Sequence, residues 1–537
     1  MTLTPVGRKD QLCRAVTGSM HVGIDTGGTN VDAVLVDDSV VVASKLPGDE
    51  SDPVETLLDR LLDAPAAVDR VVVATTLVLN AAVQRRLPAC TNVLVPGPGL
   101  HPERAFHAEE NHVAAGCVDH RGRITEEAVY DETLSRDTVA VTAKFGTRNP
   151  APEREIRETL GHDDGRIALG HAAGPGLNFP DRAATTVANA KTRETFAAFE
   201  SDIADALDAV GVDAPVYYLK GDAATLSSSA MSTTPAHTLR AGPAASALGL
   251  VALTGVENAV CVDIGGTTTD VTRVADGFPA TEPVEAGSLE TGYDGVRAVD
   301  LPLGGDTRID ATGLTERRAG NAAAFGGDAP TLTDALYVTG VLAGDSDGAG
   351  DAGAAREAFE RFDDPRSVAR GAVDSYVSRI GSAVESVAPD TSRLVVGGVL
   401  ADHLADRVAG AAGIKEVIVP DHATVAGAVG CAAARVSVET GIHVDSARGT
   451  MTVSALGTDT EPVERGRTFD DDAIESLAIE RAREAARQAG ATEEEPPVDI
   501  LHTRQFNVVE NTRVAGQVLD VTAQVRPGLA VEFGGEK

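Results

Sequence analysis

One short motif occurs twice in this chain, once in each half. Residues 23–38 read GIDTGGTNVDAVLVDD, and residues 260–274 read VCVDIGGTTTDVTRV. Each copy has an apolar strand that ends in Asp, a Gly-Gly-Thr turn, and a second strand that begins close to another Asp. Because glycine has no Cβ, the backbone of such a turn can approach a phosphate closely and turn its N–H groups toward anionic oxygens. The two hairpins therefore predict a duplicated clamp for a nucleotide.

Two later segments follow in the order that such a duplicated fold requires. RLVVGGVLADHLADRVAG (393–410) predicts a strand, a Gly-Gly turn and a helix, and IVPDHATVAGAVGCAAARV (418–436) predicts a short strand and a closely packed helix of small residues. The pattern resembles the actin-like ATPase fold shared by actin, Hsp70 and sugar kinases. The resemblance implies an α/β chain with a duplicated actin-like (ribonuclease H-like) fold. We expect regions at 21–195 and 196–436, and a small C-terminal α+β appendage at 437–537.

The clamp residues have distinct expected roles. Asp25, Asp263 and Asp270 would be catalytic, and Asp25 and Asp263 would also hold Mg²⁺ through oxygen ligands and water, which hard cations prefer. The residues expected to contact ATP are the glycines and threonines of the three turns: Gly27, Gly28, Thr29, Gly265, Gly266, Thr267 and Thr268 at the phosphates, and Gly397 and Gly398 at the adenosine.

The composition is strongly acidic. The 537 residues include 81 Asp and Glu against 46 Lys and Arg, which gives a net charge of −35, and only 7 of the basic residues are lysine. The acid is spread over the whole length, as in proteins of salt-loving microbes, where molar salt screens self-repulsion. The same charge argues against nucleic-acid binding, which requires a basic face.

The chain also has the features of a cytoplasmic protein. Its five cysteines are scattered without a Cys-x-x-Cys pair, which suits a reducing compartment. No run approaches the roughly 18 apolar residues of a membrane span, and the N-terminus has no signal-peptide core. We therefore expect a cytoplasmic location and no membrane contact.

Further segments narrow the resemblance to one family. ATTLVLNA, FGTRNPAPE, GPGLNFPDRAATTVANA, LKGDAATLS, RAGPAASALG and DIGGTTTDV occur in this order between residues 21 and 436. Together with the opening motif they resemble the A-type subunit of the hydantoinase/oxoprolinase family. The chain departs from the family in having Asn30 where an aromatic residue is common, and in a shorter region after residue 436.

The resemblance implies a reaction, its cofactors and its partners. The activity would be the ATP-dependent opening of a cyclic amide of the 5-oxoproline or hydantoin type, through a phosphorylated intermediate, with ATP, Mg²⁺ and K⁺ as cofactors. The shorter C-terminal region predicts that a B-type hydantoinase subunit is required, and an oligomer is expected.

Candidates for contact with the organic substrate come from the matching segments. His171 would be a general base with a pKa near neutrality. Arg148 and Arg182 would bind a carboxylate, as 5-oxoproline requires. The complete set of substrate-binding candidates is Thr75, Thr76, Asn80, Arg148, Asn178, Arg182, Lys220 and Asp222.

Three other functions remain compatible with the sequence. A chaperone-like reactivating ATPase has the same fold, and the ATPase subunit of an ATP-dependent ketone carboxylase has the same segments. A small-molecule kinase is disfavoured, because no sugar-recognition segment is present and residues 140–249 match the hydantoinase pattern.

Overall fold

The computed structural model describes residues 20–28, 30–37, 39–48, 52–62, 68–161, 166–343 and 350–531. The strands, in chain order, are β1 (His21–Thr26), β2 (Asn30–Val36), β3 (Val40–Pro47), β4 (Arg70–Thr75), β5 (Cys90–Val95), β6 (Glu110–Val113), β7 (Ala115–Val118), β8 (Ile124–Val129), β9 (Thr138–Ala143), β10 (Ile167–Leu169), β11 (Val216–Leu219), β12 (Thr225–Ser227), β13 (Ala259–Ile264), β14 (Thr269–Ala275), β15 (Phe278–Pro279), β16 (Thr281–Ala286), β17 (Leu289–Val296), β18 (Ala298–Leu301), β19 (Thr307–Asp310), β20 (Gly313–Arg318), β21 (Arg393–Gly397), β22 (Glu416–Ile418), β23 (Glu439–Asp445), β24 (Thr450–Ser454), β25 (Thr458–Pro462), β26 (Val498–Glu510) and β27 (Arg513–Val525). The α-helices are α1 (Pro53–Leu61), α2 (Leu77–Val83), α3 (Ala151–Leu160), α4 (Phe179–Ala209), α5 (Ser228–Thr233), α6 (Ala241–Thr254), α7 (Leu332–Thr339), α8 (Ala352–Phe359), α9 (Pro365–Val387), α10 (Ala401–Ala412), α11 (Ala426–Ala433) and α12 (Asp471–Gln488).

Two sheets repeat the same topology. In the first, β1 pairs antiparallel with β2, β2 pairs antiparallel with β3, and β1, β4 and β11 run parallel. In the second, β13 pairs antiparallel with β14, β14 pairs antiparallel with β18, and β13, β21 and β22 run parallel. The buried apolar strands of each sheet form the centre of a separate hydrophobic core. The duplicated α/β architecture expected from the two hairpins is therefore confirmed.

Two helices of small residues hold the halves together. A Cβ on Gly249 of α6 would collide with the carbonyl of Ala426, and one on Gly430 of α11 would collide with the carbonyl of Ala245. A Cβ on Gly23 of β1 would likewise meet the backbone of α11. Because glycine allows this close approach, α6 and α11 cross in direct backbone contact and fix the position of one sheet relative to the other.

Additional elements surround the two sheets. The strands β10, β9, β5 and β6 form a small sheet, which packs on the long helix α4. At the C-terminal end, the sheet β25-β24-β23-β27-β26 packs against α12 around its own apolar cluster. This last unit is the expected α+β appendage. Its edge strand β26 is long and has an irregularity in its pairing with β27 between Ile500 and His502.

Candidate functional site

The two glycine turns have the same internal geometry. The N–H of Gly27 donates to the carbonyl of Asn30 at 3.0 Å, and the N–H of Gly265 donates to the carbonyl of Thr268, also at 3.0 Å. A Cβ on Gly265 would lie 2.9 Å from that same carbonyl, so the turn requires glycine there. Each turn thus closes on its own backbone, and in the second turn the carbonyl of Gly266 also accepts the N–H of Asp306 at 2.7 Å.

Both turns line one cavity of about 130 Å³, which we call the clamp cavity. Thr29 lies outside the described residues. The cavity brings together residues from β1, β2, β13, β14 and the starts of α6 and α11. Its lining includes the expected Asp25, Gly27, Gly28, Asp263, Gly265, Gly266, Thr267, Thr268, Asp270 and Gly398.

Four carboxyl groups face this cavity, in two cross-strand pairs. Asp25 lies opposite Asp32 in the first hairpin, and Asp263 lies opposite Asp270 in the second. Burial, followed by repulsion from Asp32 and Asp263, raises the pKa of Asp25 to about 8. Burial also raises the pKa of Asp263, although the hydroxyl of Ser246 donates to its carboxylate and opposes that shift.

The strands that flank the two hairpins, β3 and β18, place different residues opposite the two carboxyl pairs. Asp32 lies opposite Lys45, whose ammonium group donates to it at 2.6 Å. Asp270 instead lies opposite Asp300, and burial and then Asp300 raise its pKa. Arg240 forms an ion pair with Asp300 at 3.1 Å. The two halves of the cavity are therefore electrostatically unequal, with a buried cation only beside the first carboxyl pair.

Asp32, Lys45 and Ser246 were not among the expected site residues. Asp32 could have been found by aligning the two motifs, because it occupies the position of Asp270. Lys45 follows Asp32 by 13 residues and reaches it only through the register of β3. No sequence signal marks Ser246, which lies on α6 and reaches the second hairpin by packing.

The cavity is suited to a divalent cation that keeps much of its water. Within the described residues, no three His, Cys, Asp or Glu side chains form a metal site by themselves. One carboxylate oxygen of Asp25 and one of Asp32 are buried without a hydrogen-bond partner there. Mg²⁺ typically binds through one or two carboxylates, several waters and phosphate oxygens. A hydrated Mg²⁺ beside Asp25 would satisfy such oxygens and lower the repulsion among the carboxyl groups.

The Gly-Gly turn after β21 contributes one residue to the cavity. Gly398 has a positive φ of 88°, and a Cβ there would collide with the Asp263 carboxylate. Gly427 has the matching place in the other half, since its Cβ would collide with the Asp25 carboxylate. Gly397 was expected beside adenosine, but it does not line the cavity, because its Cβ position is occupied by Leu250.

The substrate candidates after β4 lie next to the clamp cavity. Thr76 lines it and receives a weak hydrogen bond from Asn80 at 3.4 Å. Thr75 is buried and accepts the N–H of Leu77 at the start of α2. These residues therefore shape one side of the clamp cavity and lie apart from the other substrate candidates.

Four of the other substrate candidates line another cavity, of about 230 Å³, which we call the second cavity. It is formed by the start of α4, the turn after β11, β17 and the appendage. Asn178, Arg182, Lys220 and Asp222 all line it. Lys220 donates to Asp222 at 2.7 Å, and both side chains are largely buried.

The second cavity contains further polar groups that the sequence did not indicate. His237 lines it and stacks on Tyr293, with ring centroids 3.5 Å apart. Burial and the nearby Lys220 hold the pKa of His237 well below its usual value, so the ring is neutral. Asp294 and Glu439 also face the cavity, and burial raises the pKa of both. These residues come from segments far apart in the chain, so no local motif could identify them.

Arg148 and Arg182 are already engaged by the protein. The guanidinium of Arg148 donates to Asp520 of the appendage at 2.8 Å, and Arg148 lines neither cavity. Arg182 donates to the carbonyls of Gly176 and Ala143, each at 2.6 Å. Arg148 is therefore not available to a carboxylate in either cavity, whereas Arg182 lines the second cavity and, among the described residues, its Nε has no hydrogen-bond partner.

The expectation for His171 also differs from the structure. His171 is buried, lines neither cavity, and its backbone N–H donates to Glu153 at 2.7 Å. Burial and three nearby arginines lower its pKa to about 4, because both disfavour a charged ring. His171 is therefore not a base with a pKa near neutrality.

Comparison with known proteins identifies the family. Residues 182–440 match the family model described as Hydantoinase/oxoprolinase, and residues 21–112 match the model of the Hydantoinase/oxoprolinase N-terminal region. The chain belongs to the hydantoinase/oxoprolinase family. The two matches include both clamp hairpins and most residues that line the second cavity.

Individual relatives agree with this family assignment. Caprolactamase subunit alpha of Pseudomonas jessenii is 24% identical over 382 residues, which is 60% of this chain and 55% of that protein. The chain thus spans about half the length of this curated relative.

Two solved structures share the fold. An acetone carboxylase in nucleotide-free form has a TM-score of 0.68 at 17% identity, covering 96% of this chain and 88% of its own. The ATP-dependent caprolactamase from Pseudomonas jessenii has a TM-score of 0.62 at 16% identity. This match covers 94% of this chain and 87% of the caprolactamase chain.

A membrane span was not expected from the sequence. Among the described residues, no helix combines the length and the apolar character that crossing a bilayer requires.

Proposed function

We propose that this protein is the ATP-binding subunit of an enzyme that opens cyclic amides by phosphorylating the amide oxygen. The observation that carries the proposal is the clamp cavity, where two glycine turns and four aspartates from both halves face one space. Family membership and the name of the caprolactamase relative support a ring amide as substrate.

The clamp cavity would hold the phosphates of ATP. Gly28 from one turn and Gly266 from the other would present backbone N–H groups to phosphate oxygens, because the N–H groups of Gly27 and Gly265 already close the turns. Asp25 and Asp263 would hold Mg²⁺, which neutralises phosphate charge when bound. Gly398 lies where the adenosine side of the nucleotide would enter.

The second cavity would take the cyclic amide. A neutral imidazole offers one donor and one acceptor, so His237 can match the C=O and N–H of an amide. The segment that contains His237 continues to Gly242, which lines the clamp cavity. The segment 237–242 therefore contributes to both cavities and would help to align the amide with the nucleotide.

The charges in the second cavity favour an uncharged ring over 5-oxoproline. Lys220 is paired with Asp222, and Arg182 is bound to backbone carbonyls, whereas Asp294 and Glu439 face the cavity. The lining contains four acidic side chains, Asp181, Asp222, Asp294 and Glu439, against two cations, Arg182 and Lys220, so an added carboxylate would increase an existing excess of acidic groups. We therefore propose a neutral lactam or hydantoin as the substrate class.

A carboxylase subunit is the second candidate function. The shared fold with the acetone carboxylase structure favours this alternative, because phosphorylating a ketone oxygen would use the same clamp. A B-type subunit would be the partner in either case.

The test is a coupled assay of ADP formation and ring opening. The chain is assayed with Mg²⁺ and ATP, alone and with any co-encoded B-type subunit, on a neutral lactam, a hydantoin, 5-oxoproline and a simple ketone. Stoichiometric opening of a neutral ring is expected. ATP turnover that depends only on the ketone and bicarbonate would replace the proposal with carboxylation.

A further inference from the structure

A groove of about 510 Å³ lies apart from both cavities and is lined mainly by positively charged side chains. It is formed by the end of α7, by α8, by the first turns of α9 and by α10. Its charged lining consists of Arg356, Arg366, Arg370 and Arg407 together with Asp374. We call it the arginine groove, and it shares no lining residue with the clamp cavity or the second cavity.

The local excess of positive charge contrasts with the rest of the chain. Four arginines and one aspartate give the groove a net charge of +3, whereas the whole chain has a net charge of −35. Within the described residues, none of the four guanidinium groups forms an ion pair within 4.0 Å or a hydrogen bond. Arg121, Arg148 and Arg240, in contrast, are each paired with an aspartate.

The position of Arg366 opposes the stability of its own helix. It is the second residue of α9, and the first turn of this helix contains no acidic residue. A cation at a helix N-terminus interacts unfavourably with the macrodipole. Arg370 follows four residues later on the same face, and like charges at this spacing repel each other.

Helix α12, in contrast, has the charge distribution that stabilises a helix dipole, with acidic residues at its start and a basic residue at its end. That helix has Asp471 and Asp472 in its first turn and Arg487 in its last. In α9 the N-cap carboxylate of Asp364 accepts the N–H of Ser367, so it is engaged at the helix terminus. The Asp364 carboxylate thus compensates the positive end of α9, and the positive charge of the groove comes from the four arginines.

We propose that the arginine groove binds a compact anion with several negative charges, carried by phosphate groups or by carboxylates. Planar guanidinium groups bind both oxyanions in bidentate fashion. The volume of the groove is in the range of small-molecule sites, about 300–1,000 Å³. The anion supplies the negative charge that the four arginines lack, and the strongly acidic remainder of the surface disfavours a nucleic acid there.

The test measures where a small anion protects the chain from hydrogen–deuterium exchange. Pyrophosphate and citrate are the two probes, added to the full chain at one fixed KCl concentration. Slower exchange at residues 337–340 and 365–374 is expected for at least one probe, and the more effective probe identifies phosphate or carboxylate chemistry. Protection confined to the glycine turns of the clamp cavity would overturn the proposal.

Two matched double variants complete the test. R366Q/R370Q should weaken probe binding by at least tenfold in calorimetric titration, whereas R483Q/R487Q, at the same spacing on α12, should leave it unchanged. Without added anion, R366Q/R370Q should melt no lower than the unmodified chain, because it removes unfavourable charge. A lower melting temperature of this variant in the absence of anion would show that the arginines serve the fold, and would overturn the proposal.

Discussion

Replacing Lys45 by methionine tests how the protein tolerates four buried carboxyl groups in one cavity. The ammonium group of Lys45 lies 2.6 Å from Asp32, and the two side chains are 9% and 12% exposed. Removing one partner of a buried ion pair costs about 3–5 kcal/mol, because the remaining charge loses its compensation. For a unit of this size, that loss corresponds to a fall in melting temperature of roughly 10 °C.

The loss should depend on pH in a defined direction. Burial already raises the pKa of Asp32, and Lys45 opposes that shift. Without Lys45 the folded-state pKa rises further, so the folded protein must take up a proton that the unfolded chain does not bind at neutral pH. Stability of the variant should therefore fall by up to ~1.4 kcal/mol for each pH unit between the ordinary carboxyl pKa and the raised pKa of folded Asp32.

The assay is thermal unfolding of K45M at pH 5 and pH 8 in the same KCl concentration. K415M removes an exposed lysine and should change stability by less than ~0.5 kcal/mol. The K45M defect should be larger at pH 8 than at pH 5. A variant that melts within about 2 °C of the unmodified chain at pH 8 would refute the role given to this ion pair.

Three further predictions concern the clamp and the charge. Asp263→Asn should lower ATP hydrolysis by at least ~10²-fold with an unchanged melting temperature, and unchanged turnover would remove Asp263 from the active site. Gly427→Ala should raise the KM for ATP, because its Cβ collides with the Asp25 carboxylate. Gly410→Ala is its matched control, because it faces open space on α10 and should stabilise the helix by up to ~1 kcal/mol. With a net charge of −35, the protein should melt at higher temperature as KCl rises into the molar range, and a melting temperature that falls with KCl would contradict the halophilic interpretation.

The sequence predicts the fold well, because its strongest signals are local. Each hairpin is one contiguous segment in which glycine at the turn and Asp at the strand end have few structural alternatives. The two copies then predict the duplicated topology and the meeting of Asp25 and Asp263 in one cavity. The Gly-Gly turn at 397–398 was also apparent, although only Gly398 faces the ligand space.

The residues of the second cavity are much harder to predict from the sequence. Arg148 looks like a free cation in a polar turn, but its partner Asp520 lies 372 residues further along the chain. His171 precedes a Gly-Pro loop that suggests exposure, yet it is buried beside arginines. His237 is placed by packing against Tyr293, so neither its neutral state nor its position could be inferred from its own segment.

The central claim is that ATP phosphorylates the oxygen of a cyclic amide, and an isotope label tests it directly. A neutral lactam labelled with ¹⁸O at its carbonyl is incubated with Mg²⁺, ATP and the chain, together with its B-type partner where one is encoded. Attack of the amide oxygen on the γ-phosphate releases ADP, and addition of water to the ring carbon with cleavage of the C–N bond opens the ring to an acyl phosphate. Attack of a second water on the acyl carbon should then release inorganic phosphate that carries the label. Mass spectrometry of phosphate and product should then show one ¹⁸O in each phosphate formed. Label that stays wholly in the product carboxylate, while ADP forms and the ring opens, would contradict the mechanism.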